Sequence, residues 1–115
     1  MEESKQTILF LSEASLFLEF SKECFKQAGH DFFDFENWDE CKLQVSDLSP
    51  TLIILDYDFY EPNDLLEAKS QGIPVIGFYS EDDEDKVSSL GLNGLIKKPV
   101  EALELVSKCL GFLGK

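Results

Sequence analysis

Short apolar runs of strand length alternate five times with longer stretches of helical periodicity along this chain, and that alternation most limits its fold. Thr7 to Leu11 (TILFL) is the first run, of the kind a parallel strand shows when covered on both faces. From Ala14 to Ala28 the residues Leu16, Phe17, Phe20, Cys24 and Ala28 recur at three- and four-residue steps, predicting a helix that Gly29 stops. Asp31 to Phe35 reads as a strand nearer an edge. Trp38 to Leu48 carries Trp38, Cys41, Val45 and Leu48 on one helical face, with Pro50 beyond its end. Thr51 to Tyr57 (TLIILDY) is the most strand-like segment and is expected at the centre. Pro62 to Ser70 predicts a short helix, Pro74 to Ser80 a buried strand, Ser80 to Leu90 another short helix and Gly94 to Lys97 a brief strand. Val100 to Leu113 closes the series, with Val100, Leu103, Val106, Cys109 and Leu110 on one face. Connection rules turn this order into an α/β fold, a doubly wound parallel sheet of five strands with helices on both sides.

At 115 residues the chain suits one domain spanning 1–115 with no output domain beside it. Ten Phe and 43% apolar residues supply a core. The formal charge is −13, and all ten basic residues are Lys. Without Arg and with acids in such excess, nucleic acid and anionic membrane surfaces are disfavoured as partners. Cys24, Cys41 and Cys109 form no CxxC pair, which fits a reducing compartment, and Cys24 and Cys109, each on an apolar helix face, read as small buried hydrophobes. The apolar stretch Ile8–Phe20 is broken by Glu13 and Glu19, which suits neither a signal peptide nor a membrane span, so a cytoplasmic protein is expected.

Ligands of doubly wound sheets bind beyond the carboxyl ends of the strands. Polar residues follow three of the apolar runs directly: Ser12-Glu13 after the first, Asp56 in the third, and Lys97-Lys98-Pro99 after the fifth. If these ends converge, two carboxylates held close favour a hard divalent cation such as Mg²⁺, and a lysine opposite adds countercharge. Asp56 then becomes a nucleophile for an acyl phosphate.

The segments ILFLSEAS, LIILDYD, PVIGFYS and GLNGLIKKPV, in that order and spanning nearly the whole chain, resemble the signature segments of response-regulator receiver domains. The resemblance implies a flavodoxin-like (βα)5 fold and a role in two-component phosphorelay signal transduction. By it Asp56 matches the phosphoacceptor and Lys98 the lysine that contacts the phosphoryl group, with a cis Lys98–Pro99 bond. It also implies Mg²⁺ held by Glu13, Asp56 and the backbone carbonyl of Asp58. A histidine kinase or phosphotransfer protein would donate the phosphoryl group and a downstream protein target would read it. Enzymatic activity would be limited to self-catalysed phosphorylation and dephosphorylation of Asp56.

Departures from the family pattern matter equally. Receivers usually place two acids after the first strand, where this chain has Ser12-Glu13, which implies reduced Mg²⁺ affinity. Tyr79 aligns with the small Thr or Ser that normally hydrogen-bonds the phosphoryl group, and Ser80 substitutes only if the strand end shifts by one residue. Leu95 occupies the aromatic switch position. The stretch from Tyr79 to Lys98 is about one helical turn shorter than usual. These differences support an alternative, a pseudo-receiver acting as a phosphorylation-independent interaction module. A flavodoxin-like enzyme or nucleotide binder fits less well, because no glycine-rich phosphate loop follows the first strand.

Competing local readings are bland. The acidic run Glu81–Asp85 lacks the alternating ligands and turn glycine of a calcium loop and reads as a solvated helix start. His30, just past a helix end, is placed to meet free carbonyls there. Phe32, Phe33, Phe35 and Trp38 are expected to pack in the core.

Overall fold

A computed structural model describes residues 6–12, 15–57, 62–98 and 100–112. In chain order the elements are β1 (Thr7–Leu11), α1 (Ser15–Gln27), β2 (Asp31–Phe35), α2 (Trp38–Leu48), β3 (Leu52–Asp56), α3 (Pro62–Lys69), β4 (Val75–Tyr79), α4 (Glu84–Ser88), β5 (Gly94–Lys97) and α5 (Ala102–Phe112). All strand pairs are parallel and the sheet order is β2-β1-β3-β4-β5. The chain first builds leftward from β1 to β2, then crosses to the other side of β1 for β3, so the topological switch point lies between β1 and β3. Every residue of β3 is buried, as its sequence predicts for a central strand.

Local chemistry sets the boundaries. Gly29 takes a left-handed φ of 90°, and the His30 N–H then bonds the Phe25 carbonyl at 2.9 Å, closing the last turn of α1. Asn37 caps α2, its side chain accepting from the Glu40 N–H at 2.8 Å. At the sheet's lower edge, Thr51 Oγ1 accepts from the Thr7 N–H at 3.0 Å, and Asn93 Oδ1 accepts from the Val75 N–H at 2.9 Å. These side chains pin the starts of β1 and β4.

Alternation divides the interior into two layers. Ile8, Phe10, Leu52, Ile54, Ile76, Phe78 and Ile96 face α1 and α5, where Leu18, Phe25, Leu105 and Cys109 meet them. Leu9, Leu11, Ile53, Leu55 and Val75 face Trp38 and Cys41 of α2 and Ala68 of α3. The Trp38 indole N–H donates to Glu67 Oε1 at 2.7 Å and ties α2 to α3. The acidic segment forms a 3₁₀ turn, Glu81–Asp83, running into α4. Phe32 and Trp38 join the core as expected, whereas Phe33 lies on the exposed edge of β2.

Two helical faces differ from the sequence reading. In α1 the inward stripe is Leu18, Ser21 and Phe25, flanked by Phe17 and Cys24, while Leu16 and Phe20 are 65% and 59% exposed. In α5 Leu105, Val106 and Cys109 turn inward, and Leu103 is 70% exposed. Each helix has an apolar arc wider than the sheet can cover, and periodicity alone does not select which part is covered. His30 also departs from its expected role: its Nδ1 accepts from the Gln6 N–H at 3.0 Å.

Two features of this packing lead to measurable outcomes. Gly77, in β4, has no room for a side chain, since a Cβ there would lie 2.8 Å from Leu92 Cδ1 and 3.1 Å from Val87 Cγ1. Gly77→Ala is expected to cost about 1–3 kcal/mol in urea unfolding as α4 and its flanking loop are pushed outward. Ser21 is fully buried, and its Oγ finds no hydrogen-bond partner among the described residues. Ser21→Ala is accordingly expected to be neutral or to stabilise by up to about 1 kcal/mol, and a clear loss would reveal an acceptor for that hydroxyl.

Candidate functional site

The switch point brings together three residues far apart in sequence. Ser12 follows β1 and is buried; Asp56 ends β3 with its side chain fully buried; Lys98 follows β5. The Ser12 hydroxyl donates to Asp56 Oδ2 at 2.9 Å. The Lys98 ammonium donates to Asp56 Oδ1 at 2.6 Å, a short charge-assisted contact.

Backbone register explains the reach of Lys98. Because β4 lies between β3 and β5, the lysine comes from two inter-strand spacings away, roughly 10 Å. Its N–H extends the β4–β5 ladder by bonding the Tyr79 carbonyl at 2.7 Å. Lys97 pairs in register with Tyr79 and is exposed, so alternation sends Lys98 to the face that carries Asp56. On the way its ammonium passes 5.0 Å from the centre of the Phe78 ring, a cation–π contact. Phe78 is the register partner of Asp56 and thus shares its face.

The same alternation locates the remaining candidates. Tyr79 is buried on the opposite face, with Gly77 and Val75. Leu95 is also on that side, where its Cδ2 would meet a Cβ at Gly77 at 3.2 Å. Ser80 lies one residue beyond β4, and its carbonyl accepts from the Asp83 N–H at 2.9 Å. Glu13, Asp58 and Pro99, and with them the predicted cis bond, lie outside the described residues. Sequence reasoning treated Ser12 as a lost acid and overlooked its hydroxyl as a donor to Asp56. It also missed Phe78 as a platform, although both residues follow from the even-numbered alternation through Phe10 and Ile76.

The described donor set does not by itself suit a hard dication. It offers one carboxylate whose two oxygens already receive an ammonium and a hydroxyl, and no cluster of three His, Cys, Asp or Glu occurs among the described residues. Nor do the Cys41 and Cys109 thiols compete as nucleophiles, since burial pushes both up to about 12. Among the described residues no helix is long and apolar enough to cross a membrane.

Comparison with solved structures identifies the architecture. A response regulator from Desulfuromonas acetoxidans is similar over 95% of this chain and 97% of its own, with a TM-score of 0.79 and 23% identity. The receiver domain of the TMAO respiratory system response regulator TorR covers 95% of this chain and 97% of its own, with a TM-score of 0.84 and 17% identity. NtrX from Brucella abortus superposes with a TM-score of 0.85 at 20% identity, matching 96% of this chain but 27% of NtrX. No protein-family profile and no curated protein sequence matches the chain. The chain therefore has the flavodoxin-like fold of response-regulator receiver domains, as its signature segments led us to expect.

Proposed function

We propose that this protein is a receiver that accepts a phosphoryl group on Asp56 and signals by protein contact. The observation that carries this reading is the Ser12–Asp56–Lys98 constellation at the switch point of a receiver fold. In the reaction a carboxylate oxygen of Asp56 attacks phosphorus and forms an O–P bond. The bond from phosphorus to the donor breaks, a P–N bond for a phosphohistidine or a P–O bond for acetyl phosphate, and the leaving group keeps the electron pair. Lys98 stays beside the acceptor to balance charge on the phosphoryl oxygens, and hydrolysis of the acyl phosphate later restores the carboxylate. A histidine kinase or phosphotransfer protein is the donor in this reading, and a downstream protein is the reader. Mg²⁺ enters it as a weakly held ion of Asp56, Glu13 and the Asp58 carbonyl. Catalysis does not extend beyond Asp56 itself, and the receiver works in the cytoplasm.

A second reading draws on Tyr79 and Leu95, which stand where the phosphoryl-binding hydroxyl and the aromatic switch residue are expected and whose strand register sets them on the sheet face away from Asp56. In that reading the protein is a pseudo-receiver that binds its partner without phosphorylation. Incubation with acetyl phosphate and saturating MgCl₂ followed by intact-mass measurement separates the two. The first predicts a mass increase of one phosphoryl group that Asp56→Asn abolishes; an unmodified wild-type chain would leave the second.

A further inference from the structure

We infer that Ser12 is a positioning residue which, together with Lys98, clamps Asp56 in a charge-balanced state and so keeps the affinity of the site for divalent cations low. The inference deepens the reading of Asp56 as acceptor and rests on the same pocket. Each carboxylate oxygen has its own donor from the chain, Lys98 Nζ on Oδ1 at 2.6 Å and Ser12 Oγ on Oδ2 at 2.9 Å. The ammonium stands directly against the Asp56 carboxylate as a countercharge, and the Phe78 ring 5.0 Å away helps to retain it there. A magnesium ion must approach an oxygen to about 2.0–2.1 Å with near-octahedral partners. Here it would meet a like charge on one oxygen and displace a hydrogen bond from the other. The residue at position 12 decides this balance because it is buried, follows Phe10 on the face of Asp56, and touches the carboxylate directly. A hydroxyl there satisfies Oδ2 without adding charge, whereas a carboxylate would supply the negative charge and lone pairs that a dication needs.

The test is a titration of the full chain with MgCl₂, followed by amide chemical shifts of the residues around Asp56. Ser12→Asp should bind Mg²⁺ at least tenfold more tightly than the wild type, and adding Asp56→Asn should remove the gain. Ser12→Ala, which removes the hydroxyl donor to Oδ2 with little risk to folding, should tighten binding by about threefold, the worth of one modest hydrogen bond. Ser12→Thr, which keeps the hydroxyl, should rescue the wild-type affinity. Unchanged affinity in both Ser12→Asp and Ser12→Ala would overturn the inference; if Ser12→Asp fails to fold, Ser12→Ala decides alone. No phosphoryl donor is involved, so failure of acetyl phosphate labelling and failure of this inference are read separately.

Discussion

Replacing Lys98 with Met is expected to lower the free energy of unfolding by about 2–3 kcal/mol, near the lower edge of what breaking a buried ion pair costs. The Asp56 carboxylate is fully buried, and the variant removes the ammonium that stands against it, while the Ser12 hydroxyl satisfies an oxygen but carries no countercharge. The estimate sits low because the Lys98 side chain is 23% exposed, so water can reach the space it leaves. A neutral amide at position 56 needs no ammonium. Asp56→Asn combined with Lys98→Met should therefore recover most of the loss and return to within about 1 kcal/mol of the wild type. Urea unfolding of the four proteins completes the cycle. A loss in the double variant equal to the sum of the losses in the two single variants would mean that the ion pair contributes nothing to stability.

Phe10→Ala is expected to cost about 3–5 kcal/mol, the largest effect anticipated for any single side chain here. Phe10 is fully buried, and its ring meets Phe17, Phe32 and Phe78 edge-on, with centroids 6.2, 6.0 and 5.7 Å away. Phe78 also stacks on Phe17 at 5.5 Å, so Phe10 and Phe17 together brace the ring over which Lys98 reaches Asp56. Loss of Phe10 should thus weaken the site as well as the fold, and slower labelling by acetyl phosphate should accompany the drop in urea midpoint. Phe20 supplies the control. It is the same residue type with 59% of its surface exposed, and Phe20→Ala should change stability by no more than about 0.5 kcal/mol. Comparable losses in the two variants would contradict the packing described.

Most elements were legible in the sequence because they depend on local patterns. The apolar runs of β1, β3, β4 and β5 announce buried parallel strands, and Gly29 and Pro50 mark where α1 and α2 must stop. Asp56 and Lys98 were legible for a related reason: a charged residue directly after an apolar run belongs at a strand end, where a sheet of this class binds ligands. Helix faces were less legible. Leu16, Phe20 and Leu103 lie on apolar arcs, yet they stay outside because one sheet face covers only a stripe of α1 and of α5.

The sequence alone determined the five strand–helix units and the residue types at their ends, since periodicities of two and 3.6 are written within a few residues of each other. Tertiary structure decided how those ends meet. The crossing from β2 past β1 to β3 sets Ser12 beside Asp56 across 44 positions, and strand alternation chooses Lys98 over its neighbour Lys97. Strand order and register come from long-range backbone pairing, and no local pattern specifies which strand lies next to which.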